Sequence, residues 1–393
     1  MTSTAVDTLL DWMAILVRPG MRVALGDGPG SPVTALDALT QVAAERGDIS
    51  LLLGWTPRPV SENALAGFAE VRALMSGWGL RRSIDAGTTL SVPCRMSAIP
   101  SLLGGPLRPD LLVTTLVRRN GSLYFGTEAS WMRRLVEAGL PVAAVVSTAA
   151  PCADAGAPLP EAAITVVCET DERPFDVVPQ PPGEVEQAIA AHVVRLIPAG
   201  ARVQVGPGRL GAAILGAIET PVEVDSGLLP DAVVDLDERG LLLATPVATY
   251  LAGSRRLYDW ADGRPILQPV EWTHDPGRLG SGSPFIALNT ALEIDLQGQV
   301  NAEAIGGSTV GGIGGHPDFA GAATRSRRGL SVIALASSHA GTPTLVSRLS
   351  RPVTTASHDV DIVVTERGVA DLRGLSRPER TAALWRLWDG AAA

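Results

Sequence analysis

Lysine is absent from the 393-residue sequence, and arginine supplies all 32 positive charges. A catalytic Schiff base, a pyridoxal phosphate anchor and the lysine of a Walker-type phosphate loop all require a primary amine. The sequence therefore excludes these enzyme classes.

Cysteine and histidine are also scarce. The three cysteines, Cys94, Cys152 and Cys168, are widely separated and form no CxxC pair, so neither a disulfide framework nor a thiolate metal site is expected. The five histidines lack the HxxxH, HxH and HExxH spacings that are typical of metal ligands. We predict that the protein holds no metal and works in a reducing cytoplasm.

Long apolar runs and a basic N-terminal segment are missing as well. No stretch reaches the ~18 uninterrupted apolar residues that a membrane span requires. Asp7 and Asp11 lie within the first apolar segment, which predicts an amphipathic helix and not a signal peptide. The net charge of −9 disfavours a broad nucleic-acid-binding face. We expect neither membranes nor nucleic acids as partners.

Two segments of the chain, 16–30 and 196–210, are similar at a constant offset of 180 residues. Each contains a helix end, a glycine turn, a short strand and a glycine-rich loop that leads into another helix. A cluster of proline and glycine at 179–183 precedes the second copy, so a domain boundary is expected near residue 180. The fold class is predicted as α/β, with two tandem similar three-layer domains at 1–180 and 181–393. Buried strands are predicted at 110–117, 141–147, 163–168, 330–335 and 361–366.

Glycine-rich loops are the first candidates for ligand binding, because glycine lets backbone N–H groups approach a phosphate or an oxyanion. An ordinary tight turn explains the loop at 26–30. The loop at 306–322 is much richer in glycine and favours a functional role.

Carboxylates are the second group of candidates. Glu223 lies in a strand-like PVEV segment, and Glu293 and Glu366 have similar settings. From composition and periodicity alone, an ion-paired sheet residue explains each of them better than catalysis does. Serine chemistry is disfavoured because no GxSxG motif is present.

The C-terminal third resembles the acetyl-CoA hydrolase/transferase family, which includes 4-hydroxybutyrate and succinyl:acetate CoA-transferases. The resemblance is carried by ALEIDLQGQVNAEAIGGSTVGGIGGHPDFAGAATRS, SVIALASS and DVDIVVTERGVADLRGLSRPER. Upstream, LIPAGARVQVGPG is similar to the opening of the family's second domain and GSRRLYDW to its SRRLYDF segment. The resemblance implies two CoA-transferase-type α/β domains, with the catalytic glutamate in the C-terminal one.

In this family a glutamate of the second domain attacks the acyl-CoA thioester. Glu223 matches that position, which implies an acyl-glutamyl anhydride followed by a glutamyl-CoA thioester. Asn289 and the GGIGG backbone match the groups that stabilise the oxyanion, and Glu366 matches a glutamate close to CoA. The glycine positions implied for catalysis are Gly314 and Gly315, and those implied for CoA binding are Gly206, Gly208, Gly311 and Gly312.

The sequence also departs from the family pattern. Its usual GxGxIPNA segment becomes GPGRLGA, and two family lysines become Leu330 and Ala340. Arginine could replace these cations because a guanidinium binds phosphate in a bidentate manner. The candidates for this role are Arg325, Arg327 and Arg328, and a solvated surface cluster is the alternative.

We therefore predict a CoA-transferase or acyl-CoA hydrolase that acts on a small acyl-CoA, with a carboxylate acceptor in the transferase case. No cofactor is expected beyond coenzyme A as a cosubstrate, and a homodimer is expected. The alternative is a catalytically inactive, CoA-binding paralogue of the same family. A sugar-phosphate isomerase on a related fold has no matching motif.

Overall fold

A computed structural model of the chain describes residues 8–178 and 180–389. Contacts divide the chain into two compact units. Unit 1 comprises the residues up to Cys94 together with Ala98–Asp176 and Ala261–Pro269, and unit 2 comprises Arg95–Ser97, Val177–Trp260 and the residues from Val270 onward. Part of the segment predicted as an N-terminal helix, residues 1–7, lies outside the described residues; the helix itself spans Leu9–Leu16, with Thr8 as its N-cap.

A mostly parallel sheet forms the centre of unit 1. Its order is β4-β3-β2-β1-β5-β7-β8, and β6 pairs antiparallel with β5. The predicted strands at 110–117, 141–147 and 163–168 are confirmed as β5, β7 and β8. The strands are β1 Arg22–Leu25, β2 Ser50–Leu53, β3 Glu70–Ala73, β4 Leu90–Ser91, β5 Leu111–Arg119, β6 Ser122–Tyr124, β7 Val142–Ser147 and β8 Ile164–Thr170.

Helices cover both faces of this sheet, because successive strand residues point to opposite sides and both sets are apolar. Val23, Leu51 and Val113 pack on one face with α1 and α2. On the other face Thr114 lies against Met132 of α5. The helices are α1 Leu9–Leu16, α2 Val33–Arg46, α3 Arg81–Asp85, α4 Ile99–Leu103 and α5 Met132–Glu137.

Unit 2 also contains a mostly parallel sheet, in the order β10-β9-β13-β18-β22-β23, with only β23 antiparallel to its neighbour. The predicted strands at 330–335 and 361–366 are confirmed as β18 and β22. The strands of the unit are β9 Arg202–Val205, β10 Glu223–Val224, β11 Leu228–Leu229, β12 Tyr250–Leu251, β13 Phe285–Thr290, β14 Glu293–Asp295, β15 Val300–Asn301, β16 Ala304–Ile305, β17 Ser308–Thr309, β18 Leu330–Ala334, β19 Ser338–His339, β20 Thr342–Pro343, β21 Leu345–Val346, β22 Ile362–Thr365 and β23 Gly368–Asp371.

Two apolar clusters hold helices against one face of the unit 2 sheet. Phe285 and Ala287 pack with Leu279 and Phe319, and Ile333 and Val363 pack in a second cluster with the C-terminal helix. The helices are α6 Glu184–Val193, α7 Arg209–Ala217, α8 Ala232–Glu238, α9 Arg255–Ala261, α10 Val270–Thr273, α11 Pro276–Gly280, α12 His316–Ala323 and α13 Arg377–Asp389.

The α/β class with parallel sheets is confirmed. The similar segments of the sequence both fold as a strand, a glycine-rich loop and a helix: β1 and β9 begin at Arg22 and Arg202, 180 residues apart. The duplication itself and the boundary near residue 180 stay predictions. Within the described ranges, no helix is long and apolar enough to cross a membrane.

The first turn of α7 fixes the glycine loop that follows β9. A Cβ atom on Gly211 would lie 2.1 Å from the carbonyl oxygen of Gly206, so this position has no room for a side chain. On the same helix, Gly216 is exposed and a Cβ there would meet nothing within 4 Å.

We predict that Gly211→Ala lowers the free energy of unfolding by about 1–3 kcal/mol, because the helix and the loop must move apart. Gly216→Ala is the matched control and should raise it by up to about 1 kcal/mol, since alanine is the better helix former. Urea unfolding followed by circular dichroism measures both. Equal effects of the two substitutions would contradict the close packing at Gly211.

Candidate active site

The carboxyl ends of β9, β13, β18 and β22 lie along one edge of the unit 2 sheet. In open parallel sheets, ligands bind outside this edge. At the end of β9 the chain passes through Gly206 and Gly208, and Gly208 has a φ of 103°, which favours glycine. Helix α7 begins directly after it, so backbone N–H groups of the first turn are available to an anion.

Asn289 lies near the end of β13, level with Gly206, whose N–H donates to the Leu288 carbonyl at 3.2 Å. Its side chain is only 4% exposed. Gln204 Nε2 donates to Asn289 Oδ1 at 3.4 Å, whereas Asn289 Nδ2 has no partner among the described residues. A buried donor without an acceptor costs about 1–3 kcal/mol, which makes Asn289 Nδ2 the clearest candidate for a ligand contact.

The GGIGG loop, Gly311–Gly315, is held close to the end of β13. His316, the residue that follows the loop, contacts the Thr290 carbonyl through Nε2 at 3.2 Å and Thr355 Oγ1 through Nδ1 at 2.6 Å. Burial lowers the pKa of His316 to about 4, so the ring is neutral at physiological pH. Gly314, with a φ of 56°, accepts a hydrogen bond from Met96 N at 3.0 Å. The loop is thereby fixed next to the strand that carries Asn289.

Asp318 attaches a second segment to this loop. It is buried in α12 and accepts from Ser97 Oγ at 2.6 Å and Ser97 N at 3.1 Å. Burial raises its pKa to about 6 although these hydrogen bonds oppose the shift. The bonds hold Arg95–Ser97 against the start of α12 and so support the Met96–Gly314 contact.

Glu366 follows β22 at the same edge and meets Ser337, which follows β18. Ser337 N donates to Glu366 Oε2 at 2.9 Å, and Ser337 Oγ donates to Oε1. Burial alone would raise the pKa of Glu366, but the two Ser337 hydrogen bonds outweigh it and the net pKa is lowered. Glu366 is therefore an ionised carboxylate at this edge.

Glu223 does not lie with these residues. In the parallel register Glu223 pairs with Arg202, and Arg202 pairs with Phe285. Phe285 precedes Asn289 by four residues on β13. At about 3.3 Å per residue, Glu223 is set back by about 13 Å along the strands from the level of Asn289. The structure thus puts the predicted nucleophile at the amino end of the sheet, away from the oxyanion groups, because the PVEV segment begins the strand and does not end it.

The residue level with Asn289 on this strand is Gly227. Asp225 N donates to the Val203 carbonyl and Ser226 Oγ to the Val205 carbonyl, so the parallel pairing continues beyond β10 and brings Gly227 level with Gly206. A Cβ on Gly227 would lie 3.2 Å from Nε2 of the buried His274. No side chain from this strand therefore reaches the level of Asn289.

The predicted arginine cluster also lies elsewhere. Arg325, Arg327 and Arg328 are exposed and directly precede β18, which places them at its amino end. Arg209 follows the Gly206–Gly208 loop and pairs with Glu186 at 3.3 Å, and Arg367 follows Glu366. These two arginines are at the carboxyl edge, whereas the predicted three are not.

Glu293, a candidate from the sequence, and Asp225, which follows Glu223 by two residues, are both engaged in structural contacts. Glu293 accepts from Asn301 Nδ2 at 3.0 Å and from Ser350 N and Oγ at 2.7 and 2.8 Å. Asp225 binds the guanidinium of Arg278 at 2.7 and 2.8 Å. Both are explained as structural groups. Within the described residues, no group of three His, Cys, Asp or Glu side chains could hold a metal ion.

Sequence reasoning missed Gly227, Gln204 and His274. For Gly227, the signal available in the sequence was the end of the PVEVDS segment. Residues at the carboxyl end of a parallel strand lie at the edge where ligands bind. No local motif indicates His274, which reaches the site through packing.

Comparison with known proteins identifies the domain in the C-terminal part of the chain. Residues 253–389 match the acetyl-CoA hydrolase/transferase C-terminal domain. The chain carries this domain. The resemblance inferred from the sequence is thereby confirmed.

Curated relatives extend the similarity beyond this domain. The 4-hydroxybutyrate coenzyme A transferase of Clostridium kluyveri is 28% identical over 79% of this chain and 77% of its own length. A succinyl-CoA:acetate/propanoyl-CoA:succinate CoA transferase of Fasciola hepatica is 25% identical over 94% and 82%. An acetyl-CoA hydrolase of Schizosaccharomyces pombe is 31% identical over 54% and 45%. These names confirm the predicted enzyme type, CoA-transferase or acetyl-CoA hydrolase.

Solved structures support the fold. RipA from Yersinia pestis matches with a TM-score of 0.84 at 22% identity, covering 98% of this chain and 96% of its own. The 4-hydroxybutyrate CoA-transferase from Porphyromonas gingivalis matches with a TM-score of 0.79 at 23% identity, covering 97% and 93%.

Proposed function

We propose that the protein binds a small acyl-CoA at the carboxyl edge of the unit 2 sheet and transfers its acyl group or its CoA to an acceptor, which is a carboxylate or water. The observation that carries this proposal is the buried, unpaired Asn289 Nδ2 beside the glycine loops. An amide donor that is already oriented stabilises the negative charge that develops on a thioester oxygen under attack. Gln204 holds the amide in this orientation through Oδ1.

Coenzyme A has suitable contacts along the same edge. The open backbone at Gly206 and Gly208 lets N–H groups at the start of α7 bind the CoA phosphates. Gly311 and Gly312, in the GGIGG loop, are further predicted CoA contacts. Glu366 can accept a hydrogen bond from the pantetheine amides. Arg209 and Arg367 are better located for phosphate than the predicted Arg325 and Arg328, which would require CoA to reach the amino end of the strands.

The covalent route implied by the family resemblance passes through a glutamyl anhydride and a glutamyl-CoA thioester. It requires a carboxylate within bonding distance of the thioester carbon. Glu223 lies about 13 Å back along the strands at about 3.3 Å per residue, and Gly227 offers no carboxylate. This observation favours a second candidate function without a glutamyl intermediate: acyl-CoA binding, or hydrolysis in which water attacks the thioester carbon and CoA leaves as the thiol.

Several broader expectations belong to the same proposal. The repeated strand, glycine loop and helix at Arg22 and Arg202 support an internal duplication into CoA-transferase-like domains at 1–180 and 181–393. A cytoplasmic location and a homodimer complete the proposal, and separate localisation and sedimentation experiments address them.

We predict that the wild-type protein acts on at least one member of a panel of short acyl-CoAs, either by releasing CoA thiol with water as acceptor or by forming the CoA thioester of an added carboxylate acceptor. Asn289→Ala should lower kcat by roughly 10² or more and leave KM within about threefold, because the donor acts mainly on the developing oxyanion. Asn63→Ala, at an exposed asparagine of unit 1, serves as the matched control. A decrease of less than threefold for Asn289→Ala would return Asn289 to a structural role.

We further predict that Glu223→Gln keeps kcat within about threefold of wild type, since Glu223 lies at the amino end of the sheet. Incubation with acyl-CoA followed by borohydride should leave the peptide that contains Glu223 unchanged in mass. A reduced glutamyl adduct at Glu223, together with a loss of about 10³ in rate for Glu223→Gln, would instead establish the covalent route.

A further inference from the structure

Trp388 connects the last turn of the C-terminal helix α13 to the edge of the unit 2 sheet where Glu366 lies. Its side chain is 6% exposed and packs in the apolar cluster that contains Ile333 and Val363. The indole Nε1–H donates to the carbonyl oxygen of Ser337 at 2.8 Å. A buried tryptophan usually directs its N–H at an acceptor, and here the acceptor belongs to the residue that binds Glu366.

Ser337 is the link between Trp388 and Glu366, and it uses its N–H, its hydroxyl and its carbonyl oxygen. Its N–H donates to Glu366 Oε2 at 2.9 Å, its hydroxyl donates to Oε1, and its carbonyl oxygen accepts from the indole. Both oxygens of the Glu366 carboxylate therefore have a donor on the same neighbouring residue. The orientation of this carboxylate depends on the position of Ser337.

Among the described residues, two groups donate to the Ser337 carbonyl oxygen. The first is Thr344 N, at 3.1 Å. Ser337 and Thr344 lie at the two ends of the exposed β19–β20 hairpin, so this bond closes the hairpin on itself. The second donor, the indole of Trp388, comes from a helix that is packed against the sheet. Trp388 is thus the contact that holds the base of the hairpin to the body of unit 2.

The end of α13 has a further contact at the same edge. Arg367, which directly follows Glu366, donates through Nη1 to the carbonyl oxygen of Trp388. A guanidinium is favourable there because the last carbonyl groups of a helix carry partial negative charge. Arg367 Nε lies 3.9 Å from Glu366 Oε1. The helix end, Ser337 and the two residues Glu366 and Arg367 therefore form a closed ring of contacts.

We propose that Trp388 is a positioning residue for CoA binding, which acts through Ser337 to hold the Glu366 carboxylate toward the ligand. This inference rests on the proposed function, in which Glu366 accepts a hydrogen bond from a pantetheine amide, and deepens it by naming the group that orients this acceptor. A carboxylate that is already oriented loses less conformational freedom when the ligand binds. Trp388 contacts neither CoA nor the reacting atoms, so it contributes to affinity and not to the chemical step.

Trp388→Phe tests this role because it keeps an aromatic ring in the apolar cluster and removes the indole donor. Trp385→Phe is the matched control, since Trp385 lies on the same helix and is 48% exposed. CoA affinity is measured by calorimetry, and kcat and KM are measured with the acyl-CoA that the wild type uses best. Trp388→Phe should raise the Kd for CoA and the KM at least about threefold and leave kcat within about twofold. Trp385→Phe should leave all three quantities within about twofold of wild type.

A double-mutant cycle with Glu366→Gln separates positioning from a general loss of structure. Glu366→Gln should itself weaken CoA binding at least about threefold, and in that background Trp388→Phe should change the Kd by less than about 1.5-fold. A general disturbance of the fold would weaken binding by the same factor in both backgrounds.

Three results would overturn the inference and leave CoA binding by the protein intact: an unchanged Kd in Trp388→Phe, an unchanged Kd in Glu366→Gln, or equal losses from Trp388→Phe in the two backgrounds. Undetectable binding of CoA and acyl-CoA by the wild type would overturn the proposed function itself.

A tryptophan analogue covers the case in which Trp388→Phe does not fold. Replacing Trp388 by benzothienylalanine puts a sulfur atom in the place of the indole N–H and keeps the shape of the ring, so the donor is removed with little change in packing. This protein should show the same increase of at least about threefold in the Kd for CoA. A folded protein of this kind with wild-type CoA affinity would overturn the inference.

Discussion

The parallel register between the strand at 221–226, β9 and β13 is the constraint on which the account of this site depends. Parallel strands present their last residues to a common edge, so the level of each residue decides whether its side chain reaches a ligand. Asn289 and Gly206 are level with each other at this edge, and Glu223 is level with Arg202 and Phe285. Glu223 therefore lies four residues back along the strands from the level of Asn289, although both residues belong to one sheet, and the catalytic roles of both stay predictions.

Most of the fold could be predicted from the sequence, because buried parallel strands are continuous apolar runs between glycine and proline signals. The runs that became β5, β7, β8, β18 and β22 are of this kind. The structure brings three of the predicted site groups to one edge: Asn289 lies near the end of β13, Glu366 follows β22, and the GGIGG loop is held beside β13 through His316. Their roles stay predictions. The position of Glu223 along the sheet could not be predicted from the pattern of apolar runs. It depends on where pairing with β9 begins, and PVEV contains no signal for its own register.

His274 shows why other contacts near the candidate site could not be predicted from the sequence. A short helix and a threonine fix this ring against Phe319, and nothing in the surrounding sequence EWTHDPGR distinguishes it from a surface histidine. Its place beside the site depends on the two glycines that face Nε2, which lie 47 residues before it and 41 residues after it. The same burial that keeps His274 and His316 neutral makes an unpaired donor such as Asn289 Nδ2 costly. The candidate site thus combines this amide with glycine backbone, and the ionised Glu366 lies at the same edge.

A structure of the protein with a non-cleavable ketone analogue of acetyl-CoA would test the central claim most directly. The account predicts that the ketone oxygen lies within hydrogen-bond distance of Asn289 Nδ2, above Gly206 and Gly227, with the pantetheine chain running toward Glu366. An acyl group bound beside Glu223 at the amino ends of the strands, with Asn289 Nδ2 still unpaired, would contradict it.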